Sequence, residues 1–178
     1  MATTNTVIPP PVTPALKRRL ICMVYEAMLL FGVIFTAGMI FDVWTQSRHA
    51  LTLRHAREAW LFAILGIYFV FFWCRSGQTL AMKTWNIKLI DGERQKLPII
   101  KAVVRYCLAW MWFIPGLAIA YQFELKGWLA IVAVTANIIL WALTYKLDKD
   151  GQFLHDKLAK TRLVHAEVKL SNDTRFVD

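Results

Sequence analysis

The chain alternates between long apolar runs and short polar, mostly basic connections. The first run, residues 20–41, holds 22 residues and a single formal charge, Glu26. At about 1.5 Å of rise per residue, a helix of that length crosses a hydrocarbon layer of roughly 30 Å. The second run, 59–74, has 16 residues and is short for a span. Its helix is therefore predicted to begin earlier, inside 49–58, with Arg54 and Arg57 reaching back toward headgroups. The third, 102–123, carries Arg105 near its start and Pro115-Gly116 in the middle, which predicts a kink. The fourth, 127–145, is uncharged and has Asn137 near its centre. The pattern predicts an all-α membrane protein with four transmembrane helices at about 20–41, 56–74, 102–123 and 127–146.

Two polar stretches change to a period of two. Trp85 to Ile90 alternates and then meets Asp91-Gly92, a hairpin turn signal, and Val164 to Leu170 alternates in the same way. They predict a small cytoplasmic β-hairpin or strand element, two or three short strands forming a small sheet under the bundle. Between them, Phe153 to Leu158 suits a short amphipathic C-terminal helix lying at the membrane surface. Residues 1–16, with Pro9-Pro10-Pro11, are expected to be a disordered cytoplasmic tail. Residues 17–164 form the membrane domain, and 165–178 a cytoplasmic C-terminal tail.

Composition agrees with the pattern. Of 178 residues, 57% are apolar and only 19% are charged, below the roughly 25% of an average soluble domain. A formal net charge of +9 would suggest nucleic acid in a soluble protein. Here the cations cluster: three Lys or Arg precede the first span, six join spans two and three, and seven follow the fourth, against four in the other two loops. That bias places both termini in the cytoplasm and makes the bilayer, not nucleic acid, the partner. The expected location is a bacterial inner (cytoplasmic) membrane. Cys22, Cys74 and Cys107 lie within or at the ends of apolar runs and provide no disulfide framework. No cleavable leader precedes the first span, which is expected to double as the targeting signal.

Glu26 sits about 9 Å inside the first span, where a bare carboxylate is costly. Arg105 is expected at a similar depth, so an Arg105–Glu26 ion pair would bury both charges economically. Either the pair is structural, or Glu26 exchanges its partner for a proton or cation during transport. Arg19 lies two turns before Glu26, on nearly the same face. Asp156, beside His155, is the next acid, placed to approach Arg18 or Arg19 and tie the tail to the first helix. No His or Cys spacing supports a metal site, and no motif calls for a cofactor. Neither a nucleophilic triad nor a catalytic carboxylate pair is present, so an enzyme is not expected. Gly32 with Thr36, and Gly116 with Ala120, have the small-xxx-small spacing that lets helices approach, and Asn137 is expected to hydrogen-bond across a helix interface.

Three blocks in order carry a resemblance. Arg19 stands seven residues ahead of an intramembrane acid. Gly77-Gln78-Thr79-Leu80-Ala81-Met82-Lys83 follows the second span, with Ile87-Lys88-Leu89-Ile90-Asp91-Gly92 after it. Phe153-Leu154-His155-Asp156-Lys157-Leu158-Ala159-Lys160-Thr161 lies in the tail. From about Lys17 to Val164 the chain resembles the RDD family of integral membrane proteins, named for an Arg and two Asp residues. The resemblance implies that Arg19 is the Arg and Asp156 the second Asp. It departs at Glu26, where the family has Asp, and at Ala81, where it has Gly. Members are mostly of unassigned activity; sodium/proton exchange and other transport roles are attributed to some. The expected function is a small transporter or cation/proton exchanger using Glu26, working as a dimer or larger homo-oligomer because four spans leave little room for a pathway. The alternative is a non-transporting scaffold or regulatory protein whose cytoplasmic face docks a cytoplasmic or membrane protein partner.

Overall fold

A computed structural model describes residues 12–46, 53–91, 96–148 and 151–166. The expected disordered tail ends earlier than residue 16. Residues 1–11 lie outside the described residues, whereas Pro14 is fully buried and Thr13 accepts a hydrogen bond from the Gln152 side chain at 2.9 Å.

Helix α1 (Leu16–Thr45) extends the first apolar run by a turn at each end, and α2 (Arg54–Ser76) antedates the second run as expected. Arg57 and Arg54 are each paired with a carboxylate: Arg57 reaches Asp42 on α1 and Arg54 reaches Glu58, both at 2.8 Å. The predicted kink divides the third run into α4 (Ile99–Ala109), a 3-10 turn (Trp110–Trp112) and α5 (Ile114–Gln122), bent by 42°. Pro115 has no N–H to offer Met111, so the ladder breaks there. Asn137 of α6 (Trp128–Leu143) repairs the break, its Nδ2 donating to the carbonyls of Met111 at 3.3 Å and Trp112 at 2.6 Å. The helices meet closely at Gly116, where an added Cβ would lie 2.9 Å from Val134 Cα. At Gly32, by contrast, nothing lies within 4 Å, so the first small-residue pair makes no close approach within the chain. Among the described residues three helices are long and apolar enough to cross a membrane, and four if the bent α4–α5 pair is one span.

The two alternating stretches form the small sheet expected of them. The strands β1 (Ile87–Asp91) and β2 (Thr161–His165) pair antiparallel with each other, Leu89 opposite Leu163, as a long-range ribbon. Gly92 and residues 167–170 of the expected strand lie outside the described residues. Ile87, Leu89 and Leu163 are buried in one cluster with Cys22, Trp73, Ala102 and Tyr106, so the ribbon shares the core of the helices. The predicted amphipathic helix is α7 (Leu154–Leu158), but it is not a surface element. Its His155 and Asp156 are buried, and it packs on α4 and β2. Gln152 closes the arrangement by imitating a strand: its amide donates to Leu163 O and accepts from Leu163 N, both at 3.1 Å.

Gly77 turns the chain from α2 into α3 (Leu80–Thr84). Its φ of +70° suits glycine, and a Cβ there would lie 2.6 Å from Leu89 O. Its own carbonyl accepts from Leu89 N at 2.7 Å, which ties the turn to β1.

Candidate functional site

The ends of α1, α2 and α4 nearest α7 surround a cavity of about 310 Å³, floored by α7 and the ribbon. Along the first half of α1 the buried positions are Arg19, Cys22 and Glu26, three and four residues apart, so one helical stripe delivers both charged side chains to this cavity. Arg105 and His155 also line it. Of the four residues singled out from the sequence, three therefore share the cavity, and Asp156 lies directly beneath, bonded to two of its lining residues.

Their pairing differs from expectation. Among the described residues no ion pair joins Arg105 to Glu26. Arg105 is committed to Asp156: its Nε and Nη2 both point at Oδ1, at 2.8 and 2.7 Å. Its guanidinium also lies 4.3 Å from the centre of the Trp73 ring. His155 completes the group. Trp141 Nε1 donates to its Nδ1 at 3.3 Å, so the proton sits on Nε2, 3.4 Å from the same Asp156 oxygen. Burial pushes the imidazole down to about 4, outweighing the pull of Asp156, and His155 is neutral.

Glu26, 8% exposed, is held by hydroxyls. Tyr68 of α2 donates to Oε1 at 2.8 Å, and Thr79 Oγ1 makes a short hydrogen bond to Oε2. Thr79 also caps α3 and accepts from Met82 N at 3.3 Å, which leaves its hydroxyl proton free for Glu26. Sequence reasoning missed Tyr68 and Thr79 because it sought a cation. The available signal was a phenol inside an otherwise apolar run, since a buried hydroxyl needs a partner.

Arg19 is the unsettled member. It is 3% exposed and stacks 4.5 Å over the Phe153 ring, yet among the described residues its Nε and Nη1 have no acceptor and Asp156 Oδ2 has no donor. The expected tie between tail and first helix is present in another form: Phe153 covers Arg19, and Arg18 Nη1 meets His165 Nδ1 at 3.0 Å. Among the described residues, no group of three or more His, Cys, Asp or Glu side chains is placed to hold a metal ion.

The model of the RDD family matches residues 9–160. No curated protein and no solved structure matches the chain.

Proposed function

The chain belongs to the RDD family, and from that premise we propose that it is a multi-pass membrane transporter whose Glu26 binds and releases the coupling proton. In this reading α1, α2, the bent α4–α5 pair and α6 are the four spans, in a bacterial inner membrane. Both termini face the cytoplasm, as the clustering of Lys and Arg favours.

One observation carries the reading. Glu26 is buried beside a cavity and is held by two neutral hydroxyls, with no cation among its partners in the described residues. A hydroxyl both donates and accepts, so either one can turn around when the carboxyl group takes up a proton. Protonation then breaks no ion pair and strands no charge. Asp156, fixed by Arg105, has no such freedom. A carboxyl group that changes protonation state in place, inside an apolar helix, is what proton-linked transport requires.

The test is a pH jump applied to the oriented protein on a solid-supported membrane. Wild type is expected to give a saturable charge transient, and Glu26→Gln to give none while remaining folded. Jumps of Na⁺ or K⁺ at constant pH then show whether a cation competes for the same carboxylate. Identical transients in wild type and Glu26→Gln would remove Glu26 from the mechanism. A silent wild type whose cytoplasmic face captures a protein partner would favour the scaffold instead.

A further inference from the structure

We propose that the cavity is the binding site for a small amphipathic monocarboxylate, its carboxylate on the Arg19 guanidinium and its apolar body against the aromatic walls. This deepens the transport reading by naming the substrate class of the same cavity.

The recognition element is Arg19. It lines the cavity, is 3% exposed, and leaves Nε and Nη1 without an acceptor. Two N–H groups of a buried guanidinium are thus unpaired among the described residues, a condition that the oxygens of an anion relieve. Among the described residues the neighbouring polar groups make no hydrogen bond to these two nitrogens. Asp156 attracts Arg19 electrostatically but is not hydrogen-bonded to it: Oδ1 is taken by Arg105 and His155, and Oδ2 has no hydrogen-bond partner. Glu26 is held by Tyr68 and Thr79, and the Tyr106 hydroxyl donates to Phe62 O at 2.7 Å.

Charge sets the valence of the guest. At the inner end Arg105 and Asp156 cancel and His155 is neutral, which leaves the single positive charge of Arg19. A monoanion balances it; a dianion would carry an unmatched charge into an apolar site. Glu26 adds its own negative charge to the cavity when ionised and none when protonated. A proton on Glu26 and a carboxylate on Arg19 therefore enter with no net change in the charge of the site. The remaining walls decide the body of the guest: Leu65, Phe69, Trp110 and Phe113 present carbon surface.

Size separates the two sources of such chemistry. A cavity of about 310 Å³ has room for about ten water-sized groups. That suits a free carboxylate with a short alkyl or single-ring body, and falls far short of a phospholipid.

The experiment uses the full chain in phosphatidylcholine nanodiscs, with 8-bromooctanoate as probe and 8-bromooctanol as its uncharged match. Trp73, Trp110 and Trp112 line the cavity, so bromine bound there quenches their fluorescence. The expected result is a saturable quench by the acid that octanoate displaces, with the alcohol at least tenfold weaker. Arg19→Gln is expected to abolish the saturable component and Arg19→Lys to restore part of it. Ala109→Phe, which fills the cavity and keeps every charge, is expected to abolish it as well, and serves if the Arg19 variants do not fold. Equal affinity for acid and alcohol overturns the proposal, as does the absence of any saturable quench. If nanodiscs of phosphatidylglycerol remove the quench and octanoate does not, the occupant is a lipid headgroup and the proposal fails. The wild type keeps the two readings apart. Saturable binding without proton transients in wild type sinks the transport reading alone, and transients without binding sink the carboxylate alone.

Discussion

Two buried acids lie in and beneath one cavity and are stabilised in opposite ways. Asp156, with no exposed surface, takes two hydrogen bonds from one guanidinium and has a neutral His155 against the same oxygen. Glu26, nearly as buried, takes one hydroxyl on each oxygen. A guanidinium is always charged and only donates, so it holds its partner in one protonation state. Hydroxyls donate or accept as required and tolerate both states. The difference divides the labour: the Arg105–Asp156 pair fastens α7 to α4, and Glu26, held without an ion pair, is the acid to which the proposed function assigns the proton.

That division breaks most visibly at Asp156. Asp156→Asn keeps the shape of the side chain but leaves Arg105 and Arg19 facing each other's charge without a counterion. The expected cost is about 3–5 kcal/mol, the usual penalty for stranding one partner of a buried pair. Urea unfolding in detergent measures it. Arg105→Gln is expected to cost a similar amount, and the double variant less than the sum, because the two changes remove a single interaction.

The next effect comes from His155. Its folded value, about 4, lies below the ordinary 6.5, so the unfolded chain takes up a proton first as pH falls. The stability it contributes is complete above about pH 6.5 and is lost progressively toward pH 4. A melting temperature lower by roughly 5 °C at pH 4.5 than at pH 7.5 is expected. His155→Gln, which can still accept from Trp141 and donate to Asp156, should flatten the profile over that window. An unchanged slope would mean that other groups set the acid sensitivity.

Of the two acids, the sequence exposes the existence of both and the partner of neither. The helices were legible because length and hydropathy specify them locally; Pro115 even marks where the third run bends, and Asn137 which group repairs it. The ribbon was legible as two alternating stretches but not in its register, since strands about seventy residues apart carry no local signal of which residues face each other, here Ile87–Asp91 against Thr161–His165. The same blindness to distance paired Arg105 with Glu26. Depth along the helices placed them together, but Asp156 arrives from the tail, and no local periodicity says that α7 tucks inward with Phe153 over Arg19. A search restricted to opposite charges also passes over Tyr68 and Thr79, which do for Glu26 what a cation was expected to do.

At the hydroxyl-bound acid the effects on stability shrink. Tyr68→Phe removes one donor to Oε1, at an expected cost of about 1–2 kcal/mol. Glu26→Gln should cost less still, under about 1 kcal/mol. The new amide oxygen accepts from one hydroxyl and the new amide nitrogen donates to the other, so neither is left unpaired. Removing a carboxylate oxygen in favour of an amide is the same chemical change as Asp156→Asn, made at almost the same burial. Urea midpoints for the two variants, measured side by side, therefore isolate what the partners contribute. If Glu26→Gln proves as damaging as Asp156→Asn, Glu26 must be holding a cation after all. The hydroxyls would then be incidental, and the freedom to take up a proton in place would be lost.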